Sequence, residues 1–346
     1  MSARAIECTG VTKRFDDTVA VDSASFSLER GKLMCLLGPS GCGKTTMLRL
    51  IAGFETADAG AISVGGRIVA GPGVNLPPNR RRVGMVFQDY ALFPHMDLAA
   101  NVAYAMRGGN GRAGGVDSLL ELVGLSDLRG RLPHELSGGE QQRAALARSL
   151  AAEPEVILLD EPFSNLDAAL RGQLREQVRE ILLAAGATAI FVTHDLEEAL
   201  SFGDSVAVMF DGRIIQIDSP EELYRRPATR RIAEWLGEAN FIPGAAEGVR
   251  VSCELGNLDL VSPVTGDVDV MLRPEWITLQ TDPSADAVVQ ERVFYGHDQM
   301  VRVKLRSGVE LRVRVWSPDR FVRGERVRVR PLGFGVAYER DGGRRS

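Results

Sequence analysis

Cysteine and histidine are scarce in this 346-residue sequence, with four of each, and aromatic residues make up only 6%. Cys8, Cys35, Cys42 and Cys253 form no CxxC pair, so the spacing that zinc and dithiol redox sites use is missing and reduced thiols are expected. The scattered histidines give no basis for a transition-metal site. Excess positive charge is missing too: 41 Lys and Arg against 46 Asp and Glu leave a formal net charge of -5. A nucleic-acid backbone needs a basic face that this balance does not advertise, so no nucleic-acid partner is expected. No apolar run approaches the roughly 18 residues that span a bilayer. The opening MSARAIECTG lacks the apolar core of a secretory signal. These absences predict a protein neither secreted nor integral to a membrane, whose work at any membrane goes through partners.

What is present is ordinary for a globular chain: 45% hydrophobic and 25% charged residues, enough for a sizeable core and for two domains. Phe26, Leu28 and then Leu33 to Leu37 read as short strands about a turn at Arg30-Gly31, ending at Gly38. A helical stretch follows through Met47 to Ala52. Val156 to Leu159 and Ala189 to Val192 are continuous apolar runs of the kind buried in parallel sheets. With helices between them, an α/β core is predicted. From Asp89 to His134 the character is helical but broken by Gly108, Gly109, Gly111, Gly114 and Gly115, as in a helical insert with a loop. Asp195 to Phe202 and Pro220 to Arg226 read as helices, the second with Ser219 as N-cap. After Pro243-Gly244 apolar residues alternate with Arg or Lys, as in Val301-Val303-Leu305 and Leu311-Val313-Val315, which predicts a separate all-β unit, a small barrel. The arginines read as its solvated face. The domains are placed at 1–240, with a helical subdomain at about 89–150, and at 241–346.

Gly38-Pro39-Ser40-Gly41-Cys42-Gly43-Lys44-Thr45-Thr46 follows a strand and opens a helix, the context a phosphate-binding loop requires. Its glycines let backbone N–H groups close around phosphate oxygens, Lys44 reaches the β and γ phosphates, and Thr45 offers a hydroxyl to magnesium. The run Val156 to Leu159 ends in Asp160-Glu161. Asp160 there would hold Mg²⁺, and Glu161 would polarise an attacking water. Gln88, after apolar Val86-Phe87, could ligate Mg²⁺ and sense the γ-phosphate, although alone it reads as a surface residue. His194 follows Asp160 by 34 positions and could reach the same sheet edge, although a lone His after a strand is usually structural. Phe15 could stack an adenine ring or belong to a core. Leu136 to Arg143, LSGGEQQR, puts Ser137, Gly138 and Gly139 before a helix whose N–H groups and dipole suit a phosphate. The chain already has one phosphate loop, so this second one is expected to serve a nucleotide held by another subunit.

In order, Phe15, the Gly38–Thr46 loop, Gln88, LSGGEQQR, VILLDEP, SNLD and His194 resemble the A-loop, Walker A, Q-loop, signature, Walker B, D-loop and H-loop of ATP-binding cassette (ABC) ATPases, from about Ile6 to Gly237. The resemblance implies a P-loop NTPase cassette with a RecA-like core and helical subdomain, using ATP and Mg²⁺. It implies a dimer in which each ATP lies between the Walker A of one copy and Ser137, Gly138 and Gly139 of the other. By the same resemblance Asp167 would couple the two sites, His194 would hold the γ-phosphate, and closure would drive membrane permease subunits fed by a solute-binding protein. The chain would then sit peripherally at the cytoplasmic face of the membrane. The β-rich tail with Arg273-Pro274-Glu275 resembles the OB-like (TOBE) regulatory barrel of importer ATPases. Asn75-Leu76-Pro77, Arg81-Arg82-Val83-Gly84 and Gly109-Asn110-Gly111-Arg112 resemble the ferric-iron type, with polyamine, sugar, sulfate and quaternary-amine importers as alternatives. A soluble ABC ATPase acting on ribosomes or DNA is the reading from another class. Such proteins usually carry two cassettes or long coiled coils, and this chain has one cassette and no long heptad run.

Overall fold

A computed structural model describes residues 4–106, 115–164, 168–316 and 319–340. Gly108, Gly109, Asn110, Gly111, Arg112, Gly114 and Asp167 lie outside the described residues. The chain divides after Leu223 into two compact units.

The centre of the first unit is a six-stranded sheet. Its spatial order is Arg213–Asp218, Ser205–Phe210, Leu33–Leu37, Ala189–Thr193, Val156–Asp160, Val83–Val86. The last five strands run parallel, and Arg213–Asp218 pairs antiparallel at the edge. Leu33–Leu37 and Ala189–Thr193 are buried at every position, which is why they read as continuous apolar runs rather than alternating ones. A second, antiparallel sheet is built from Arg4–Phe15, Thr18–Glu29, Ala59–Val64, Arg67–Gly71 and Val74–Asn75. The helix Lys44–Ala52 buries Met47, Leu48, Leu50 and Ile51 in one core with Ile6, Val11 and Ile62 of the antiparallel sheet and Leu36, Leu158 and Ile190 of the parallel one. The helix that follows the phosphate loop is therefore a central rod of the core.

Arg81 fixes the far end of that rod. It is 1% exposed, and its guanidinium donates to Leu50 O, Ile51 O and Leu76 O at 2.6, 3.1 and 2.7 Å and to Asn75 Oδ1 at 2.6 Å. Leu50 and Ile51 supply carbonyls that a helix C-terminus leaves unpaired, and the cation sits at the negative end of the dipole. Gly53, the left-handed C-cap, leaves room for it, because a Cβ there would lie 2.5 Å from Arg81 Nε. Arg81→Ala would orphan several buried carbonyls at once, and is expected to cost about 3 kcal/mol of stability in urea denaturation. A loss below about 1 kcal/mol would remove the residue from this role.

The helices Leu98–Tyr104, Gly115–Leu122 and Gly138–Ala151 pack together as a helical segment. Pro220–Arg225 begins as expected, with Glu222 N–H donating to Ser219 Oγ.

The second unit is all-β apart from short helical turns and the helix Arg230–Trp235. One sheet has the order Ile277–Thr281, Arg326–Pro331, Ala287–Phe294, Asp298–Lys304, Glu310–Trp316. Its edge strands approach each other, so the sheet curls around Val289, Val301, Val303, Leu311, Val313 and Val327. The alternation of Glu310–Trp316, buried at Leu311, Val313 and Val315 and exposed at Arg312, Arg314 and Trp316, is the period-two pattern of a strand with one face inward. A three-stranded sheet of Asn240–Cys253, Gly256–Leu272 and Val336–Glu339 lies beside it and adds Ile242 and Leu272 to the same core. Arg273 is 0% exposed and donates to Ala233 O, Gly237 O and Glu238 O, with its guanidinium 4.3 Å from the Tyr224 ring centre. Glu275 accepts the Tyr224 hydroxyl at 2.7 Å. The Arg-Pro-Glu triplet thus staples residues 224–238 onto the β unit, which is why the contacts divide the chain after Leu223 rather than near 240.

Candidate nucleotide site

The four adjacent strands Val83–Val86, Val156–Asp160, Ala189–Thr193 and Leu33–Leu37 end side by side, with Val86 opposite Leu159, Asp160 opposite Val192, and Thr193 opposite Leu37. Parallel strands in register deliver whatever follows them to a single edge. Gln88 comes two residues after the first, Asp160 and Glu161 end the second, His194 follows the third, and Gly38 to Thr46 follow the fourth. Topology therefore brings Gln88, Asp160, Glu161, His194 and the Gly38–Thr46 loop to one edge.

Gly38 has no room for a side chain, since a Cβ would lie 2.2 Å from Met209 O; Gly43, at φ +106°, would place one 2.1 Å from Ala20 O. These two positions explain why the loop demands glycine, and Gly43 caps the helix without any side-chain acceptor. The first helical N–H groups are then left for an anion. Pro39 is half-buried and Ser40 and Gly41 are exposed, while Cys42 is buried. Lys44 is 5% exposed, and its Nζ donates to Gly38 O at 2.7 Å and Pro39 O at 2.9 Å, so the ammonium is already inside the loop. Thr46 lies half-buried on the helix next to Thr45.

The Thr45 hydroxyl donates to Asp160 Oδ1 at 3.0 Å. Burial raises the Asp160 carboxyl above the usual carboxylate range, the Thr45 bond opposes this, and the Glu161 charge adds to it. A half-buried carboxylate joined to a hydroxyl is a pair of hard oxygen donors suited to Mg²⁺. No group of three His, Cys, Asp or Glu able to hold a metal occurs among the described residues, so phosphate and water oxygens would complete such a shell. Glu161 adopts φ +43°, a left-handed conformation rare for a residue with a side chain. Its N–H donates to Val192 O, its carbonyl accepts from Ser164 N and Oγ, and Oε2 lies 3.3 Å from His194 Nδ1.

Phe15 ends the strand Arg4–Phe15 and is 43% exposed, which settles its place as a surface ring rather than core. Lys13 Nζ lies 5.0 Å from the ring centre. Asp58, with no motif to announce it, accepts the Arg14 N–H at 2.6 Å and the Lys13 ammonium at 3.5 Å. The Arg14 N–H holds the Asp58 carboxyl below the usual carboxylate range.

Ser137 lies on the helical segment. It is the N-cap of Gly138–Ala151, so Gly138 and Gly139 are the first turn of the helix rather than residues preceding it. The Glu140 carboxylate accepts from Ser137 N–H and Oγ–H, both at 2.7 Å, while Ser137 Oγ accepts from Glu140 N. This capping box was missed in the sequence, where its signal is Ser-x-x-Glu. The Ser137 carbonyl accepts from Gln141 N, so these bonds stay within one helical turn and none reaches the Gly38–Thr46 loop of its own chain.

A family model described as ABC transporter matches residues 21–164, and one described as TOBE domain matches 270–332. The Fe(3+) ions import ATP-binding protein FbpC 2 of Rhodococcus jostii is 44% identical over 97% of this chain and 99% of its own. The sulfate/thiosulfate import ATP-binding protein CysA 2 of Chromobacterium violaceum is 43% identical over 85% of this chain and 82% of its own. Among solved structures, the dimeric post-hydrolysis state of an ATP-binding cassette, bound to ADP and phosphate, matches with a TM-score of 0.52 at 27% identity, over 62% of this chain and 98% of its own. With the Walker-type edge, the signature helix and the β unit all in place, the chain belongs to the ATP-binding proteins of ABC transporters, as a cassette ATPase followed by a TOBE domain.

Proposed function

We propose that the chain is the ATP-hydrolysing subunit of an import complex for ferric iron, working as a dimer that sandwiches two ATP molecules. The observation that carries this reading is the convergence of Lys44, Thr45, Asp160, Glu161 and His194 on one strand edge. The Glu161 carboxylate takes the proton of the attacking water as its oxygen bonds to the γ-phosphorus and the bond to ADP breaks. Lys44 exchanges the Gly38 and Pro39 carbonyls for β- and γ-phosphate oxygens, and His194 donates to a γ-phosphate oxygen. Thr45, Asp160 and Gln88 would hold Mg²⁺, which neutralises charge building on the phosphates. Phe15 stacks the adenine. The Gly38–Thr46 backbone cradles the phosphates from one side, and Ser137, Gly138 and Gly139 of the second copy close on the γ-phosphate from the other. Asp167 links the two sites.

No helix among the described residues is long and apolar enough to cross a membrane. Permease subunits would carry the solute, hold the chain peripherally at the cytoplasmic face and receive solute from a solute-binding protein. Exposed Phe54, its ring 5.8 Å from Phe87 beside Gln88, offers apolar surface for such a contact.

Ferric iron is favoured by the 44% identity to a Fe(3+) ions import protein over nearly the whole chain. The 43% identity to a sulfate/thiosulfate import protein supports sulfate as the second reading. Uptake of labelled ferric iron by cells with and without this subunit separates them: iron uptake is expected to fall to background without it. Unchanged iron uptake with loss of sulfate uptake would assign the chain to the second reading.

A further inference from the structure

Four residues beyond His194, Glu198 sits on the short helix Leu196–Phe202 and is 5% exposed. Burying a carboxyl is costly unless its oxygens are used. Glu198 Oε2 accepts the Thr193 hydroxyl at 2.5 Å, and Thr193, itself buried, accepts the Asp195 N–H at 2.9 Å. The Asp195 carboxylate accepts the Glu198 N–H at 3.0 Å and caps the helix. These three bonds close a ring over residues 193–198. Within it His194 is exposed and directed toward Glu161.

We infer that Glu198 is a positioning residue for His194. Its carboxyl oxygen holds the Thr193 hydroxyl, and through it the Asp195 amide, so the backbone on both sides of His194 is pinned. This rests on the reading of His194 as the γ-phosphate donor. The task needs an acceptor oxygen rather than a charge. Burial, with Asp195 nearby, raises the Glu198 carboxyl above the usual range; Thr193 and the Arg171 and Arg175 guanidinium groups on the helix Ala168–Ala184 oppose this, and the Cys35 thiol faces it from the strand Leu33–Leu37. A glutamine at 198 keeps the acceptor oxygen, whereas an alanine leaves a buried hydroxyl without its partner.

Steady-state ATP hydrolysis by the full-length protein tests this. Glu198→Ala is expected to lower kcat about 30-fold with KM for ATP within about twofold, because a misplaced donor is felt mainly in the transition state. Glu198→Gln is expected to stay within about threefold of wild type, since its amide oxygen can still accept. Thr193→Val, nearly isosteric and insensitive to any folding defect of the alanine variant, should match Glu198→Ala. The double variant should be no slower than either single one, as expected for two groups acting through one bond. Wild-type kcat in Thr193→Val, additive losses in the double variant, or a glutamine variant as slow as the alanine one would overturn the inference. His194→Ala separates the two levels. Wild-type turnover there would remove the reading of His194 itself, whereas a dead His194→Ala beside an unaffected Glu198→Ala would remove only the role of Glu198.

Discussion

Replacing Glu161 with glutamine is expected to slow phosphate release by a factor on the order of 10²–10⁴, the contribution of a general base, while ATP affinity stays near wild type. The amide has the same shape and still accepts hydrogen bonds, so the left-handed turn at φ +43° and the hydrogen bonds to Val192 and from Ser164 survive. What is lost is a basic oxygen 3.3 Å from His194 Nδ1 at the strand edge. Lys44, Thr45 and Asp160, which would grip the nucleotide, keep their partners. Binding without turnover should trap a nucleotide-bound dimer, seen as a doubled mass by light scattering when ATP is added. Phosphate release at the wild-type rate would exclude Glu161 as the base.

The parts of this site that the sequence announces are those whose chemistry and backbone geometry coincide. The loop at Gly38–Thr46 is legible because Gly38 and Gly43 have no space for a Cβ. Asp160 and Glu161 are legible because they end a strand buried on both faces, and such burial demands the unbroken apolar run Val156 to Leu159 that leads up to them. The antiparallel sheet of the first unit is less visible. Arg4–Phe15 pairs with register shifts between Cys8 and Val11 and again between Val11, Lys13 and Arg14, which scramble the alternation that marks a strand. Residues acting through buried hydrogen bonds leave almost no local trace. Arg81 stands beside Arg80 and Arg82 and looks like a surface cation, yet it closes a helix 31 positions upstream. Glu198 looks like any acid near the start of a helix, and Asp58 reaches Arg14 from 44 positions away. Such pairings depend on how the sheets stack, which no spacing rule encodes. Gly138 and Gly139 read as a loop before a helix because glycine is a poor helix former, but Ser137 and Glu140 cap the helix two residues earlier.

The position of Ser137 gives a second large effect, of a different kind. Ser137→Arg removes the N-cap, which costs about 1 kcal/mol of helix stability, and places a long cation where the proposed γ-phosphate of the other copy would dock. A dimer built that way cannot close, so hydrolysis is expected to fall at least about 100-fold, the cost of misplacing groups that must meet in the transition state. Binding of ATP to the separate chain should change by less than about threefold, because the hydrogen bonds of Ser137 stay within its own helical turn and none reaches Lys44, Thr45 or Asp160 of the same chain. Ser137→Ala serves as the control: it loses the cap and the hydroxyl but adds no bulk, and it should hydrolyse ATP faster than the arginine variant at equal helix stability loss. Titration of monomer with a fluorescent ATP analogue, beside phosphate release at dimer-forming concentration, reads both quantities. If Ser137→Arg abolishes binding to the monomer, Ser137 acts on the nucleotide of its own chain and the sandwich arrangement is wrong. If binding holds and turnover is lost, the signature helix is half of a catalytic site that no single copy completes, and ATP itself becomes the contact that joins the two copies.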